Sequence, residues 1–312
     1  MLQITDLNIA YQKTPIVKHL SMQVQPREIV GIVGESGSGK STLIRSILGI
    51  LGNGGKVTSG EILFENEALQ NKKNAAMREL RGSRIAMIFQ HPERSFDPTY
   101  TIEMQFYECM RVHGKITKEQ AIARAETLLR ELNFPEPKQI LKAYPFELSG
   151  GMCQRVAIAL AMANQPKLLL ADEPTSALDV TVQAQVVQVM MDLRDKLDTA
   201  ILIVTHNMGV VAYMADLVGV MFDGQLVEWG KRDEVLYDPR HPYTRQLIAA
   251  IPKMDGTLPE GISGRNAALQ DQTEGCAFRF RCSQARLECA SRVMKPQFVS
   301  ENHWSLCCGG GD

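Results

Sequence analysis

Apolar residues along this chain gather in short unbroken runs separated by polar or Gly- and Pro-containing segments. Segments 28–33, 85–89, 167–171 and 200–205 are dominated by Ile, Val, Leu, Met and Ala, the composition of strands buried on both faces of a parallel sheet. Segment 2–10 reads as an earlier, first strand. Between these runs, residues 118–132 are rich in helix formers, residues 152–163 continue as a helix, and another helix starts near Lys40. Strands alternating with helices predict an α/β fold built on a mainly parallel sheet.

The ends of the apolar runs carry the chemistry. Behind segment 28–33 comes Gly34-Glu35-Ser36-Gly37-Ser38-Gly39-Lys40-Ser41, a phosphate-binding loop. Its glycines let successive backbone N–H groups face one phosphate, and the following helix adds its positive end. Lys40 is expected between the β- and γ-phosphates, Ser41 on Mg²⁺ and Thr42 near the α-phosphate. Segment 167–171 runs into Asp172-Glu173-Pro174. Two adjacent carboxylates need different tasks: Asp172 is expected to hold Mg²⁺ and Glu173 to act as general base on the attacking water. A lone His206 follows segment 200–205, and Gln90 follows segment 85–89.

Leu148-Ser149-Gly150-Gly151 opens the helix at 152–163, and its N–H groups with the Ser149 hydroxyl make a second phosphate receptor. Two receptors for one γ-phosphate suggest that they come from different subunits. Together with the phosphate loop and Asp172-Glu173, this element resembles the ATP-binding cassette family over residues 1 to about 250.

That resemblance implies a P-loop ATPase core with an antiparallel β subdomain and an α-helical subdomain at about 92–147. It implies that His206 and Gln90 reach the γ-phosphate, the attacking water and, for Gln90, Mg²⁺. It also implies that Tyr11 stacks on adenine, that Leu148, Ser149, Gly150 and Gly151 act in trans, and that Asp179 crosses the interface of paired cassettes. Asn207 stands where the family has Asp, which alters the local hydrogen bonding of the switch. In such transporters the helical subdomain offers a groove to the membrane subunit, for which Phe96, Tyr100, Phe106 and Tyr107 are candidates beside a plain packing role.

With 312 residues, the chain has material for one large core and a small appendage. A net charge of -1 gives no reason to invoke nucleic acid. No apolar stretch is long enough to span a bilayer, and the N-terminus lacks a basic and then apolar leader. The expected place is therefore peripheral, on the cytoplasmic face of the inner membrane. Seven cysteines in such a setting argue for metal, redox chemistry or burial over disulfides. Cys109 and Cys153 read as small buried hydrophobes.

The tail carries further signals. His241-Pro242-Tyr243-Thr244 and the apolar helix ending at Pro252 resemble the point where peptide and nickel importers depart from simpler cassettes. A linker with Gly256, Pro259, Gly261 and Gly264 follows, so residues 1–252 are expected to form the nucleotide-binding unit and 253–312 a linker and Cys-rich extension. Cys276, Cys282, Cys289, Cys307 and the adjacent Cys308, interleaved with Arg279, Arg281, Arg286 and Arg292, read as a thiolate metal site with partly balanced charge. The segment is too small for a core of its own, so metal is expected to supply most of its folding energy.

The spacing is wider than paired zinc knuckles. It resembles the tail of dipeptide and oligopeptide importer ATPases, which implies a [4Fe–4S] cluster on Cys276, Cys282, Cys289 and Cys307, with Cys308 as alternative fourth ligand and zinc as alternative metal. His303 reads as a surface residue beside Trp304 or as a substitute ligand.

The whole resembles the ATPase subunit of a peptide importer, with a nickel or metal-chelate importer as alternative. Implied partners are a second, homologous but different cassette chain, two membrane permease subunits and, indirectly, an extracytoplasmic solute-binding protein. A soluble cassette ATPase acting on DNA or ribosomes is a third reading.

Overall fold

The computed structural model describes residues 1–176, 178–251, 275–291 and 294–308. The predicted linker glycines and prolines from Pro252 to Gly264, together with Arg292, lie outside them. Among the described residues the strands are β1 (Leu2–Tyr11), β2 (Thr14–Val24), β3 (Ile29–Val33), β4 (Gly55–Phe64), β5 (Glu67–Ala68), β6 (Ile85–Ile88), β7 (Leu168–Asp172), β8 (Ala200–Thr205), β9 (Leu217–Phe222), β10 (Gln225–Lys231), β11 (Gln297–Phe298) and β12 (Trp304–Ser305). The helices are α1 (Lys40–Ile47), α2 (Asn74–Leu80), α3 (Ile102–Arg111), α4 (Lys118–Glu131), α5 (Pro137–Lys142), α6 (Gly150–Met162), α7 (Val180–Leu197), α8 (Met208–Met214), α9 (Arg232–Tyr237), α10 (Pro242–Ala249) and α11 (Glu288–Ser291).

Two sheets organise the molecule. One is antiparallel, in the order β2-β1-β4-β5; the other runs β11-β12-β10-β9-β3-β8-β7-β6. Within the larger sheet β9, β3, β8, β7 and β6 are mutually parallel, and β10, β12 and β11 extend its edge in antiparallel pairing. The parallel strands are apolar throughout because both their faces are covered. Successive side chains point to opposite faces. Thus Ile29, Leu169, Ala171, Ile201 and Ile203 enter a core shared with α3, α4, α6, α7 and α8. Their neighbours Val30, Ile32, Leu168, Leu170 and Leu202 enter a second core with α1 and the antiparallel sheet.

Capping explains where the main helices start. The Thr117 hydroxyl and Gln120 side chain form a capping box at the start of α4, and Ser149, Asp179 and Asn207 cap α6, α7 and α8 through their side-chain oxygens. The signature helix therefore begins at Gly150, two residues before the predicted Met152.

Two expectations need correction. Phe96, just after the turn Pro92–Arg94, and Phe106 on α3 are core residues, 6% and 0% exposed, in the core shared with α4 and α6; of the four groove candidates Tyr100 is the exposed one. The tail, expected to owe most of its folding energy to metal, is also joined to the rest of the chain by packing and strand pairing. Phe278 is buried in the main core, and β12 pairs with β10 through Glu228–Ser305 and Trp229–Trp304.

Candidate functional site

Because β3, β8, β7 and β6 are adjacent and parallel, the segments that leave their carboxyl ends emerge along one edge of the sheet. With strands about 4.8 Å apart, the loop at 34–41, Asp172-Glu173, His206 and Gln90 are brought within side-chain reach of one another, as ligand sites are in open α/β sheets.

The phosphate loop is shaped by what surrounds it. A Cβ on Gly34 would sit 2.1 Å from the Met221 carbonyl oxygen, so a side chain has no room there. Gly37 and Gly39 have φ of +83° and +100°, the left-handed region open to glycine. Lys40 Nζ donates to the carbonyls of Gly34 (2.7 Å) and Glu35 (2.8 Å) and to Ser38 Oγ (3.3 Å), arching over its own loop. Burial pushes the Lys40 ammonium down from its ordinary value, against the attraction of Glu173, Asp172 and Glu35. Ser36 is exposed and Thr42 half-buried.

Ser41 Oγ donates to Asp172 Oδ1 at 2.8 Å. Asp172 is fully buried, and its Oδ2 has no hydrogen-bond partner among the described residues; Arg45 stands 3.8 Å from it. Burial pushes this carboxyl up, with the Ser41 hydrogen bond opposing. A buried carboxylate oxygen left without a hydrogen bond beside a serine hydroxyl is a fitting donor set for Mg²⁺, a cation that takes oxygen ligands.

Glu173 sits at φ +47°, a left-handed conformation uncommon for a residue with a side chain. Its N–H donates to the Val204 carbonyl at 2.8 Å, which ties the turn to β8. Gln90 Nε2 donates to Glu173 Oε2 at 3.0 Å, and His206 Nδ1 bonds Glu173 Oε1 at 3.0 Å. Both carboxylate oxygens are thus held by residues from other strand ends. Gln90 is engaged with the carboxylate and not with Asp172.

Asn207 Oδ1 accepts from Gly209 N at 2.9 Å, capping α8 as Asp would, while its Nδ2 donates to Gln183 Oε1 at 3.3 Å. A carboxylate has no proton to make that second bond. It links the segment after β8 to α7.

Leu148 is half-buried, and Ser149 and Gly150 are exposed at the start of α6; a Cβ on Gly150 would meet nothing within 4 Å. Gly151 abuts α7, where a Cβ would stand 3.0 Å from Val182 Cγ1. Asp179 is exposed and caps α7 by accepting from Val182 N at 3.0 Å. Tyr11 ends β1 on the antiparallel sheet, and its hydroxyl donates to the Leu51 carbonyl.

The cysteines of the tail come together. Cys276, Cys282, Cys289, Cys307 and Cys308 line one cavity beside His241. Burial pushes the Cys276 thiol up to about 11. Cys289 and Cys308 sulfurs lie 2.8 Å apart. Among the described residues no group of three or more His, Cys, Asp or Glu side chains could hold a single metal ion, as a mononuclear zinc with all ligands about 2.0–2.3 Å from one point would require. Cys153 is buried and donates to the Pro145 carbonyl at 3.5 Å, and burial raises both Cys153 and the half-buried Cys109.

His303 is neither a surface residue nor beside the thiols. It is 2% exposed, and its Nε2 bonds Glu228 Oε1 at 2.8 Å because β12 brings it under β10. Glu228, fully buried, also accepts from the N–H groups of Arg240 (2.7 Å) and His241 (2.9 Å). Arg281 departs from its expected task as well: its guanidinium engages Glu35 of the phosphate loop instead of balancing thiolates. Sequence reading also missed Tyr243 there, whose hydroxyl accepts from Glu35 N at 2.9 Å. The His-Pro-Tyr-Thr run was visible, but nothing in it points to a loop 208 residues away.

Comparisons with known proteins agree with this geometry. A family model described as ABC transporter matches residues 17–176, and one described as oligopeptide/dipeptide transporter, C-terminal region, matches residues 227–289. The chain is 42% identical over 313 residues to the oligopeptide transport ATP-binding protein OppD of Bacillus subtilis, covering 97% of this chain and 87% of that one. It is 39% identical over 297 residues to the dipeptide transport ATP-binding protein DppD of Escherichia coli, covering 93% and 90%. The solved dimeric, post-hydrolysis structure of the ATP-binding cassette MJ0796 with ADP and Pi superposes with a TM-score of 0.66 at 28% identity, over 74% of this chain and 99% of that one. With this carboxylate pair at a P-loop edge and 97% of its own length matched by a relative, the chain belongs to the ABC transporter ATPases of the oligopeptide and dipeptide transporter family.

Proposed function

We propose that this ATPase powers import of di- or oligopeptides through membrane permease subunits, working on the cytoplasmic face of the membrane as one of two paired cassettes. The observation that carries the catalytic part is Glu173, whose two carboxylate oxygens are held by Gln90 and His206 next to Asp172, whose Oδ2 accepts no hydrogen bond among the described residues. A carboxylate fixed in this way can take the proton of an attacking water. Lys40 leaves the loop carbonyls for the β- and γ-phosphates, and Gly34, Ser36, Gly37, Ser38, Gly39 and Thr42 wrap the rest with N–H and hydroxyl groups. Tyr11 serves the adenine. Ser41, Asp172 and Gln90 would hold Mg²⁺, which when bound neutralises phosphate charge.

The exposed start of α6 supports a trans role for Leu148, Ser149, Gly150 and Gly151, with Asp179 beside it at the interface. The second cassette is read as a related but different chain. Residues 1–252 form the nucleotide-binding unit in this reading, with the helical subdomain at about 92–147, and 253–312 its extension. The names of OppD and DppD, relatives at about 40% identity, support peptides as the solute class. No described helix is long and apolar enough to cross a membrane, which supports a peripheral attachment through partners. Purification of the tagged chain from membranes should recover two permeases and a second cassette; recovery with ribosomes or DNA-repair proteins and no permease would overturn the reading.

The tail thiols are read as the seat of a [4Fe–4S] cluster on Cys276, Cys282, Cys289 and either Cys307 or Cys308. What supports this is a single cavity lined by all five thiols without convergence on one ion. A cubane attaches its four thiolates to four separate irons, so its ligands need not converge on a single ion as those of zinc do. Iron and acid-labile sulfide in a protein purified without oxygen, with visible absorbance lost in Cys276→Ser, are expected. Stoichiometric zinc with no iron would overturn the cluster in favour of the other metal.

A further inference from the structure

The phosphate loop of this protein is held from outside its own motif, by the C-terminal region. Arg281 lies in the tail between Cys276 and Cys282, 246 residues beyond Glu35. Its Nη1 donates to Glu35 Oε2 at 2.9 Å and its Nη2 to Oε1 at 2.7 Å, the parallel two-bond geometry that a guanidinium makes with a carboxylate. The guanidinium side chain is 10% exposed and lies over the rings of Phe222 and Phe278, 5.5 and 5.7 Å from their centroids. Its Nε has no hydrogen-bond partner among the described residues, so the hydrogen bonds the structure gives this group go to Glu35. Tyr243, packed against the same two phenylalanines, takes the N–H of Glu35 on its hydroxyl. Glu35 is therefore gripped at backbone and side chain by two residues remote in sequence.

We propose that Arg281, seconded by Tyr243, is a positioning residue for the ATP site: it neutralises the Glu35 carboxylate and holds it clear of the polyphosphate. The inference rests on the reading of residues 34–42 as the nucleotide loop. An acidic side chain is out of keeping with a loop that wraps a polyanion, because like charges at short range oppose binding. The carboxylate is close enough to matter, since its charge acts on the Lys40 ammonium, whose Nζ also donates to the Glu35 backbone carbonyl at 2.8 Å. Paired with Arg281, it becomes a strut instead of a repellent. The same pair makes the docking of the Cys-rich tail a condition for a well-ordered phosphate loop.

Equilibrium binding of ATP and ADP to the purified full-length chain at low and high salt tests this. Arg281→Ala should weaken ATP by about tenfold and ADP by less, with the difference shrinking at high salt. Arg281→Lys should keep part of the affinity. The double variant Glu35→Gln with Arg281→Ala should recover most of the loss, because no carboxylate is left to neutralise. A tail that merely props the loop would give equal losses for ATP and ADP and no recovery in the double variant, and that result overturns the proposal. So does ATP affinity unchanged in Arg281→Ala. Lys40→Ala serves as the separate control on the site: if it binds ATP as the parent does, the reading of the loop falls and this inference with it.

Discussion

Glu173 concentrates the chemistry at the scale of single residues. Its carboxylate is oriented by Gln90 and His206, and its backbone is held at positive φ by the bond to Val204. Glu173→Gln retains the size, but it turns one of the two acceptor oxygens into a donor and cannot take a proton. Turnover is expected to fall by about 10²–10⁴-fold with ATP still bound, as measured by phosphate release against nucleotide retention; turnover near the parent's would remove Glu173 as the base. The residue types at this edge were legible because each stands at the end of an apolar run. The bonds among them were not: Gln90 and Glu173 are 83 positions apart and meet through the pairing of β6 with β7.

Among the elements, α10 shows how a buried titratable group is tied to stability. His241 caps the helix by accepting from Tyr243 N at 3.1 Å and is 1% exposed. Burial lowers its pKa to about 4, against the attraction of Glu228 and with repulsion from Arg245. The sign follows from proton counting. Between pH 6.5 and 4 the unfolded chain binds a proton that the folded chain does not, so stability is full above about 6.5 and lost as pH falls toward 4. The loss is of the order of 3 kcal/mol, since each pKa unit is worth about 1.4 kcal/mol. His241→Asn keeps a cap acceptor and removes the titration. Its melting temperature should fall less steeply than the parent's from pH 6.5 to 4.5, and parallel curves would refute the assignment. The helix itself was readable from Pro242 and the apolar residues after it, whereas burial of His241 depends on Glu228 of β10 and Phe278 of the tail, neither of which belongs to the helix pattern.

The whole molecule presents the start of α6 to solvent, with open space before Gly150. If that surface completes a partner's nucleotide site, bulk placed there blocks closure. Ser149→Arg should cut ATP turnover of the assembled complex by roughly 10²-fold, comparable to the loss of a donor to transition-state charge. The cap bond to Met152 N is lost as well, at about 1 kcal/mol, so Ser149→Ala measures that part separately. Full turnover in the assembled Ser149→Arg complex would argue against a site shared across cassettes.

The sequence by itself determined four of the five parallel strands (β3, β6, β7 and β8), the residues at their carboxyl ends, the helices α1, α4, α6 and α10 and the clustering of cysteines in the tail, while β9 and α7 went unread. These are local facts: an apolar run, a glycine spacing or a cap residue acts on its own neighbourhood. Only the tertiary structure decided that β12 joins the main sheet, that His303 is buried on Glu228, that Phe96 and Phe106 face the core, and that Arg281 closes on Glu35. Each of these depends on segments far apart in the chain being folded against one another, and a charge or ring placed by such packing leaves no periodic trace in the order of the residues.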